Sequence, residues 1–341
     1  MKKIKYIFKR IFKMNFKNYF SIIDDLHKKT GKSKIYFLID TIMCGFKYQA
    51  GYMDYHLFEM YKMNSKERET VLTRGKSNDI VKKYNNKEYI KYFEDKGLFN
   101  EKFKKYLNRE YIILDANNYD NFKTFVQGKL EVIVKPLAGT CGGKGVEKIK
   151  VNNKKIKELY KQLIEHKQLL IEEVAVQNEE MAKLHPSSIN TVRISTLNQK
   201  VVAAFLRIGN NNNVVDNLNH EGLICPVELE DGIIKYPAYD KTYTTYYEHP
   251  ITHKKLVGFK IPMWEEAKKM CIEASKEIKE VGYVGWDVCI GKEKPFLIEG
   301  NDFPGHDMFQ LPAHREGNIG VYPRFKKAME EKDEDSNSTW S

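Results

Sequence analysis

The sequence predicts a mixed protein, α/β or α+β, behind a helical front third. From about 33 to 110, apolar residues recur at three- and four-residue spacing with no alternating stretch, which is the helical period. After 110, short β-rich runs (YIILD, EVIVKP, LLIEEV, NTVRISTL, KVVAAFLRI) alternate with helical stretches at 154–166 and 263–280. The 341 residues suit two or three domains of roughly 100 to 200 residues.

Taken in order, the first element is a basic amphipathic segment, 1–34. Ile4, Ile7, Phe8, Ile11 and Phe12 fall at helical spacing, with Lys2, Lys3, Lys5, Lys9, Arg10, Lys13 and Lys17 mostly opposite. Lysines interrupt its apolar runs too often for a signal peptide. An interfacial helix on an anionic membrane and a helix docked on the protein's own core both fit this pattern. A helical region follows at 35–110, with a capping box expected at Ser65. Its Tyr48, Tyr52, Tyr55, Phe58 and Tyr61 recur at three or four residues and are expected in the core. The acidic, polar stretch 331–341 is expected to be a disordered tail.

Composition excludes several classes. The longest apolar run, VVAAFL at 201–206, is far short of the about 20 residues that a spanning helix needs. Five scattered cysteines without a CxxC pair point to neither a disulfide framework nor a cysteine-ligated zinc, and a reducing, cytoplasmic compartment is expected. The net charge of +11 sits almost wholly in residues 1–34, so no nucleic-acid groove is expected in the body of the chain.

Two segments carry chemistry. In VIVKPLAGTCGGKGV a β-run ends in Lys135, Gly139, Gly142, Gly143 and Gly145 follow, and a second β-run begins. This is neither GxxxxGK[ST] nor GxGxxG; a Gly-rich hairpin behind a strand lysine suits a lid over nucleotide phosphates, with Lys144 beside the glycines. In GWDVCIGKEKPFLIEGNDFPG two β-runs flank a turn. Period two puts Glu299 and Asn301 on one face, and a hairpin brings Asp287 opposite them. Three hard oxygen side chains on one face suit Mg²⁺.

Together these residues resemble the ATP-grasp superfamily over about 96–325. The parts run in order: Asp95 and Lys96, Lys135 with its lid, LLIEEV ending in Glu172 and Glu173, Asp287, then Glu299 and Asn301 in ExNxxPG. The stretch QNEEMAKLHPSSINTVRIST, with LRIG and VDNLNHEG, is similar to the sugar-transfer-associated ATP-grasp proteins. The resemblance implies an α+β fold of two subdomains gripping ATP, the smaller at 111–175 and the larger at 176–330, behind an atypical helical region.

It also implies roles. Lys96 and Lys135 would contact the α- and β-phosphates, and the backbone of Glu172, Glu173, Val174 and Ala175 would read adenine. Gln177 or Glu179 would take the ribose. His185, Ser187, Asn190, Asn219, His220 and His306 would face the substrate. Many ATP-grasp ligases carry an arginine two residues before the first metal aspartate; Gly285 stands there, so Arg193 or Arg207 would supply that charge. Two Mg²⁺ ions are expected.

The implied activity is a carboxylate-amine ligase working through an acyl phosphate on a cell-surface polysaccharide or its precursor, with sugar- or amino-acid-linked substrates. An ATP-grasp phosphotransferase, and a non-catalytic nucleotide-binding module held at the inner face of the membrane by the basic segment, are the alternatives.

Overall fold

The computed structural model describes residues 14–139, 144–210 and 222–338, with side chains through residue 330. The chain divides into two compact units, Met1–Lys83 with Gly305–Glu330, and Tyr84–Pro304 with Glu331–Ser341.

The first unit is helical. Helix α1 (Phe16–Thr30) is opened by Asn15, whose Oδ1 accepts from Asn18 N at 3.0 Å, and closed by Gly31 at φ +74°. Helix α2 (Lys34–Tyr48) is capped by Ser33, and the short α3 (Tyr52–Leu57) follows. At α4 (Ser65–Thr70) the capping box lies one residue before the expected Ser65. Asn64 Oδ1 accepts from Glu67 N at 3.0 Å, and Glu67 returns a carboxylate to Asn64 N at 2.8 Å. The reason is chemical: three residues after Asn64 stands an acid, three after Ser65 an arginine. Helix α5 (Arg74–Tyr84) ends the run.

Tyr48, Tyr55, Phe58 and Tyr61 are buried, as the core reading of the aromatic stripe expects, whereas Tyr52 is only half-buried. The unit closes with the far end of the chain. Gln310 exchanges two hydrogen bonds with the Leu72 backbone, at 2.7 and 3.1 Å, and Arg315 Nη2 donates to Phe58 O at 2.9 Å.

In the second unit come α6 (Lys91–Glu94), α7 (Lys96–Lys102), β1 (Tyr111–Ile113), α8 (Tyr119–Val126), β2 (Glu131–Lys135), β3 (Glu147–Lys150), α9 (Ile156–Glu165) and β4 (Leu170–Glu173). The four strands form an antiparallel sheet in the order β1-β4-β2-β3. Phe122 and Val126 of α8 and Ile156, Tyr160 and Leu163 of α9 share its core with Val132, Val134 and Ile171. The alternation in EVIVK directs Val132 and Val134 to that core.

The rest is α10 (Glu179–Leu184), β5 (Thr191–Leu197), β6 (Lys200–Ile208), β7 (Leu223–Pro226), β8 (Ala238–Tyr239), β9 (Thr245–Tyr246), α11 (Trp264–Ser275), β10 (Tyr283–Ile290) and β11 (Pro295–Asn301). Its seven strands make a second antiparallel sheet, β11-β10-β5-β6-β7-β8-β9. Val192, Ile194, Trp286 and Val288 form a core with Ala267, Cys271 and Ala274 of α11. The alternate residues of the same strands are left for the opposite face. The last helix, α12 (Tyr322–Ser338), takes in most of the stretch assigned by composition to a disordered tail, carried on by the strong helix formers Glu330, Glu331 and Lys332. Among the described residues no helix is long and apolar enough to cross a membrane.

Candidate active site

Strand β2 delivers Lys135 to the mouth of the Gly-rich segment. The pairing of Val134 with Glu147 makes β2 and β3 a hairpin around that segment. In its described part Gly139 and Gly145 hold φ +79° and +72°, a region that favours glycine. Gly142 and Gly143 lie outside the described residues.

Lys135 Nζ donates to Glu172 Oε2 at 2.6 Å, because β4 pairs with β2 and sets the two side chains on one face. Glu172 is almost fully buried and gathers two more donors, Arg109 Nη2 at 2.9 Å and Asn100 Nδ2 at 2.7 Å. Burial pushes the Glu172 carboxyl up. Arg109 and Lys135, aided by the hydrogen bonds from Arg109 and Asn100, win and hold it well below the usual glutamate range. Lys96 begins α7 behind its cap Asp95, whose Oδ1 accepts from Gly97 N and Leu98 N.

The second sheet supplies the other wall. Asp287 pairs in register with Glu299 on β11 and with Arg193 on β5, so three adjacent strands meet at one point. Gly285 pairs with Asn301 two residues along the same hairpin. Arg193 Nε donates to Asp287 Oδ1, Arg193 Nη2 to Oδ2 at 2.9 Å, and Arg207 Nη2 to Oδ2 at 2.8 Å. Thr191 Oγ1 steadies Arg207 at 3.0 Å.

Burial pushes the Asp287 carboxyl up, and the two guanidiniums pull it below its usual range; Glu299 goes the other way, raised by burial and by the charge of Asp287. A Cβ on Gly285 would sit 3.0 Å from Arg193 Cδ and 3.4 Å from Nη1. The absence of a side chain at Gly285 thus leaves the space that Arg193 fills.

Both walls line one cavity of about 870 Å³. Of the residues singled out from sequence, it brings together Lys96, Lys135, Lys144, Glu172, Glu173, Val174, Ala175, Gln177, Ser187, Arg207, Asp287, Glu299 and Asn301. Arg193 stands behind Asp287. Glu179 is exposed on α10. Asn190 is buried and spends its amide on Met181 O, His185 O and Gln177 Oε1, while His185 Nδ1 meets Ser188 Oγ at 3.0 Å. Asn219 and His220 lie outside the described residues. His306 belongs to the other unit, where its Nε2 meets Asp54 Oδ1 at 3.0 Å.

Sequence reasoning missed Arg109 and Asn100. No motif marks either; the one available signal was a buried acid at the end of β4 that would need cationic partners.

The donor set suits a hard cation. Among the described residues no group of three His, Cys, Asp or Glu could hold a metal; here two carboxylates are joined by the amide of Asn301. Asn301 Nδ2 is buried and makes no hydrogen bond, which leaves the amide held by nothing through its nitrogen. Three guanidinium hydrogen bonds and one with Glu299 occupy Asp287, so a cation bound here would displace the Glu299 proton between the two carboxylates.

Two antiparallel sheets, one bearing the Gly-rich hairpin and the other the acid-amide cluster, define the ATP-grasp class. The model of the sugar-transfer-associated ATP-grasp family matches residues 76–326, and the chain belongs to that family. The ATP-grasp fold expected from sequence therefore holds at the level of the family.

Among solved structures, the chain is similar to the ATP-grasp ligase PsnB complexed with minimal precursor (TM-score 0.44, 12% identity, 72% of this chain and 63% of that one). It is also similar to the D-cycloserine synthetase DcsG (0.44, 11%, 73% of each chain) and to D-alanine–D-alanine ligase from Bacillus anthracis (0.41, 13%, 70% and 66%). The chain thus spans less than two thirds of PsnB, and the family match alone carries the assignment. No curated protein matches the sequence.

Proposed function

We propose that the chain is an ADP-forming ATP-grasp ligase that activates a carboxylate and joins it to an amine on a cell-surface polysaccharide or its precursor. The observation that carries the reading is one cavity with Lys96 and Lys135 on one wall and Asp287, Glu299 and Asn301 on the other. The family's association with sugar transfer supports a glycan-linked substrate.

In this reading the triphosphate lies along the cavity. Lys96 and Lys135 neutralise the α- and β-phosphates, the backbone after Glu172 meets the base, and Lys144 with the lid glycines covers the phosphates. Asp287, Glu299 and Asn301 would hold Mg²⁺, which supplies charge neutralisation at the transferred phosphoryl group. Arg207, on the cavity wall, would offset the charge of that group, and Arg193, behind Asp287, would act through its ion pair with that carboxylate.

A substrate carboxylate oxygen attacks the γ-phosphorus, the bond to ADP breaks, and an acyl phosphate forms. The amine then attacks the carbonyl carbon, phosphate leaves, and the amine's proton passes to solvent or phosphate. The hairpin lid keeps water from the acyl phosphate until then. No enzyme nucleophile is required.

The test is product analysis. The right carboxylate alone should give slow ADP release, hydroxylamine should trap a hydroxamate, and the right amine should accelerate turnover and yield an amide. AMP and pyrophosphate, or a phosphorylated acceptor that survives the amine, would remove the ligase reading.

A further inference from the structure

Helix α2 is apolar on two opposite sides. Phe37, Thr41, Cys44 and Tyr48 form its buried face. On the other side Ile35, Ile39, Ile42, Met43 and Phe46 recur at helical spacing and are each 51 to 68% exposed. That stripe runs for about 16 Å of helix with no charge in it. Single exposed apolar residues are ordinary, whereas a row of five on one face is not. Beside it α1, tied to α2 by Tyr19 Oη and Thr41 Oγ1 at 2.7 Å, exposes Phe16 and Phe20 one turn apart.

The charges around the stripe name its partner. Lys34, paired with Asp24 of α1 at 2.6 Å, and Lys47 bound it at either end, and the only acid of α2, Asp40, is turned away into a bidentate pair with Arg68 at 2.6 and 2.7 Å. On or just past α1, Lys17, Lys28, Lys29 and Lys32 outnumber Asp24 and Asp25, with Lys29 paired to Glu59 at 3.2 Å. Residues 1–20, which lead directly into this region, contain Lys2, Lys3, Lys5, Lys9, Arg10, Lys13 and Lys17 and no acid. Two copies facing each other along α2 would bring these cations together. An anionic lipid surface offers the complement to both the aliphatic stripe and its basic border.

We propose that the exposed face of α2 is a docking surface for an anionic lipid bilayer, into whose headgroup region Ile35, Ile39, Ile42, Met43 and Phe46 insert. The inference goes beyond the basic N-terminal segment, because it places the apolar contact on a folded helix. It does not depend on the ligase reading, since the contact needs neither nucleotide nor turnover.

The test is co-flotation of the full chain, without nucleotide, with vesicles of phosphatidylcholine containing 30 mol% phosphatidylglycerol and with pure phosphatidylcholine. The parent should partition to the anionic vesicles about tenfold or more over the neutral ones. Ile39→Glu with Ile42→Glu should lose about tenfold or more of that binding, while Ile39→Leu with Ile42→Leu should keep it. Phe46→Trp, a change that leaves the charge untouched, should show indole emission quenched by brominated anionic lipids.

A parent that stays off anionic vesicles overturns the proposal. So does a glutamate pair that binds as the parent does, since the basic segment alone would then carry the contact. A Phe46→Trp variant that binds vesicles with its added indole emission unquenched overturns it as well, as does loss of vesicle binding that tracks the dissociation of a dimer, which would make a second copy the occupant.

Discussion

Replacing Glu172 by glutamine keeps the side chain's volume and removes one charge from a buried group of three. Glu172 accepts from Lys135 at 2.6 Å, Asn100 at 2.7 Å and Arg109 at 2.9 Å, and its side chain is 3% exposed. The variant leaves two buried cations with one neutral acceptor between them, and its new amide hydrogens face donors. Breaking a buried pair from one side costs about 3 to 5 kcal/mol. For a unit the size of Tyr84–Pro304 that lowers the melting temperature by roughly 6 to 20 °C.

Lys135→Met is the opposite case. Glu172 keeps Arg109 and Asn100, so stability falls by only about 1 to 2 kcal/mol, while ATP affinity falls roughly 10- to 100-fold. Because the folded-state pKa of Glu172 is depressed, its contribution is present above the ordinary glutamate value near 4.3 and is lost as pH falls through the folded value. The parent should therefore lose more stability on acidification than Glu172→Gln does. Calorimetric melting from pH 7 to 3, with nucleotide titrations, measures all three. A glutamine variant within about 2 °C of the parent, or a Lys135→Met that melts lower than it, would refute the idea that this carboxylate anchors the wall.

Glu299→Gln should raise the Mg²⁺ concentration needed for ADP release by about tenfold or more, and an unchanged titration midpoint counts against the metal assignment. Gly285→Ala places a Cβ 3.0 Å from Arg193 Cδ, so it should cost about 1 to 3 kcal/mol in melting and reduce kcat more than ATP affinity. Asn64→Ala removes the cap of α4 and should cost about 0.5 to 2 kcal/mol without altering turnover.

Much of the cavity was legible because it is built from local β patterns. The alternation in EVIVK and FLIEGN fixes which residues share a face, and the short turn between β10 and β11 fixes that Asp287 meets Glu299. Arg109 was not legible. Its partner lies 63 residues on, and only the pairing of β1 with β4 brings its neighbourhood to Glu172. His185 and Asn190 look alike in sequence whether they face a substrate or a loop backbone, and only their hydrogen bonds tell which. The outer face of α2 was hidden for a related reason: its 15 residues are apolar enough on both sides that periodicity cannot say which one the protein covers.

The first unit is sewn from the two ends of the chain, and synthesis reads those ends far apart in time. About 220 residues separate Lys83 from Gly305, so at ordinary elongation rates roughly 10 to 45 s pass between them. During that interval the seats for Gln310 on Leu72 and for Arg315 on Phe58 stand empty, and the front helices cannot complete their core. The stretch Tyr84–Pro304 is continuous and can fold as it emerges. A ribosome that stalls near residue 304 thus releases a chain whose stretch Tyr84–Pro304 is made while its front helices still lack the segment that closes them, a natural substrate for chaperones and proteases.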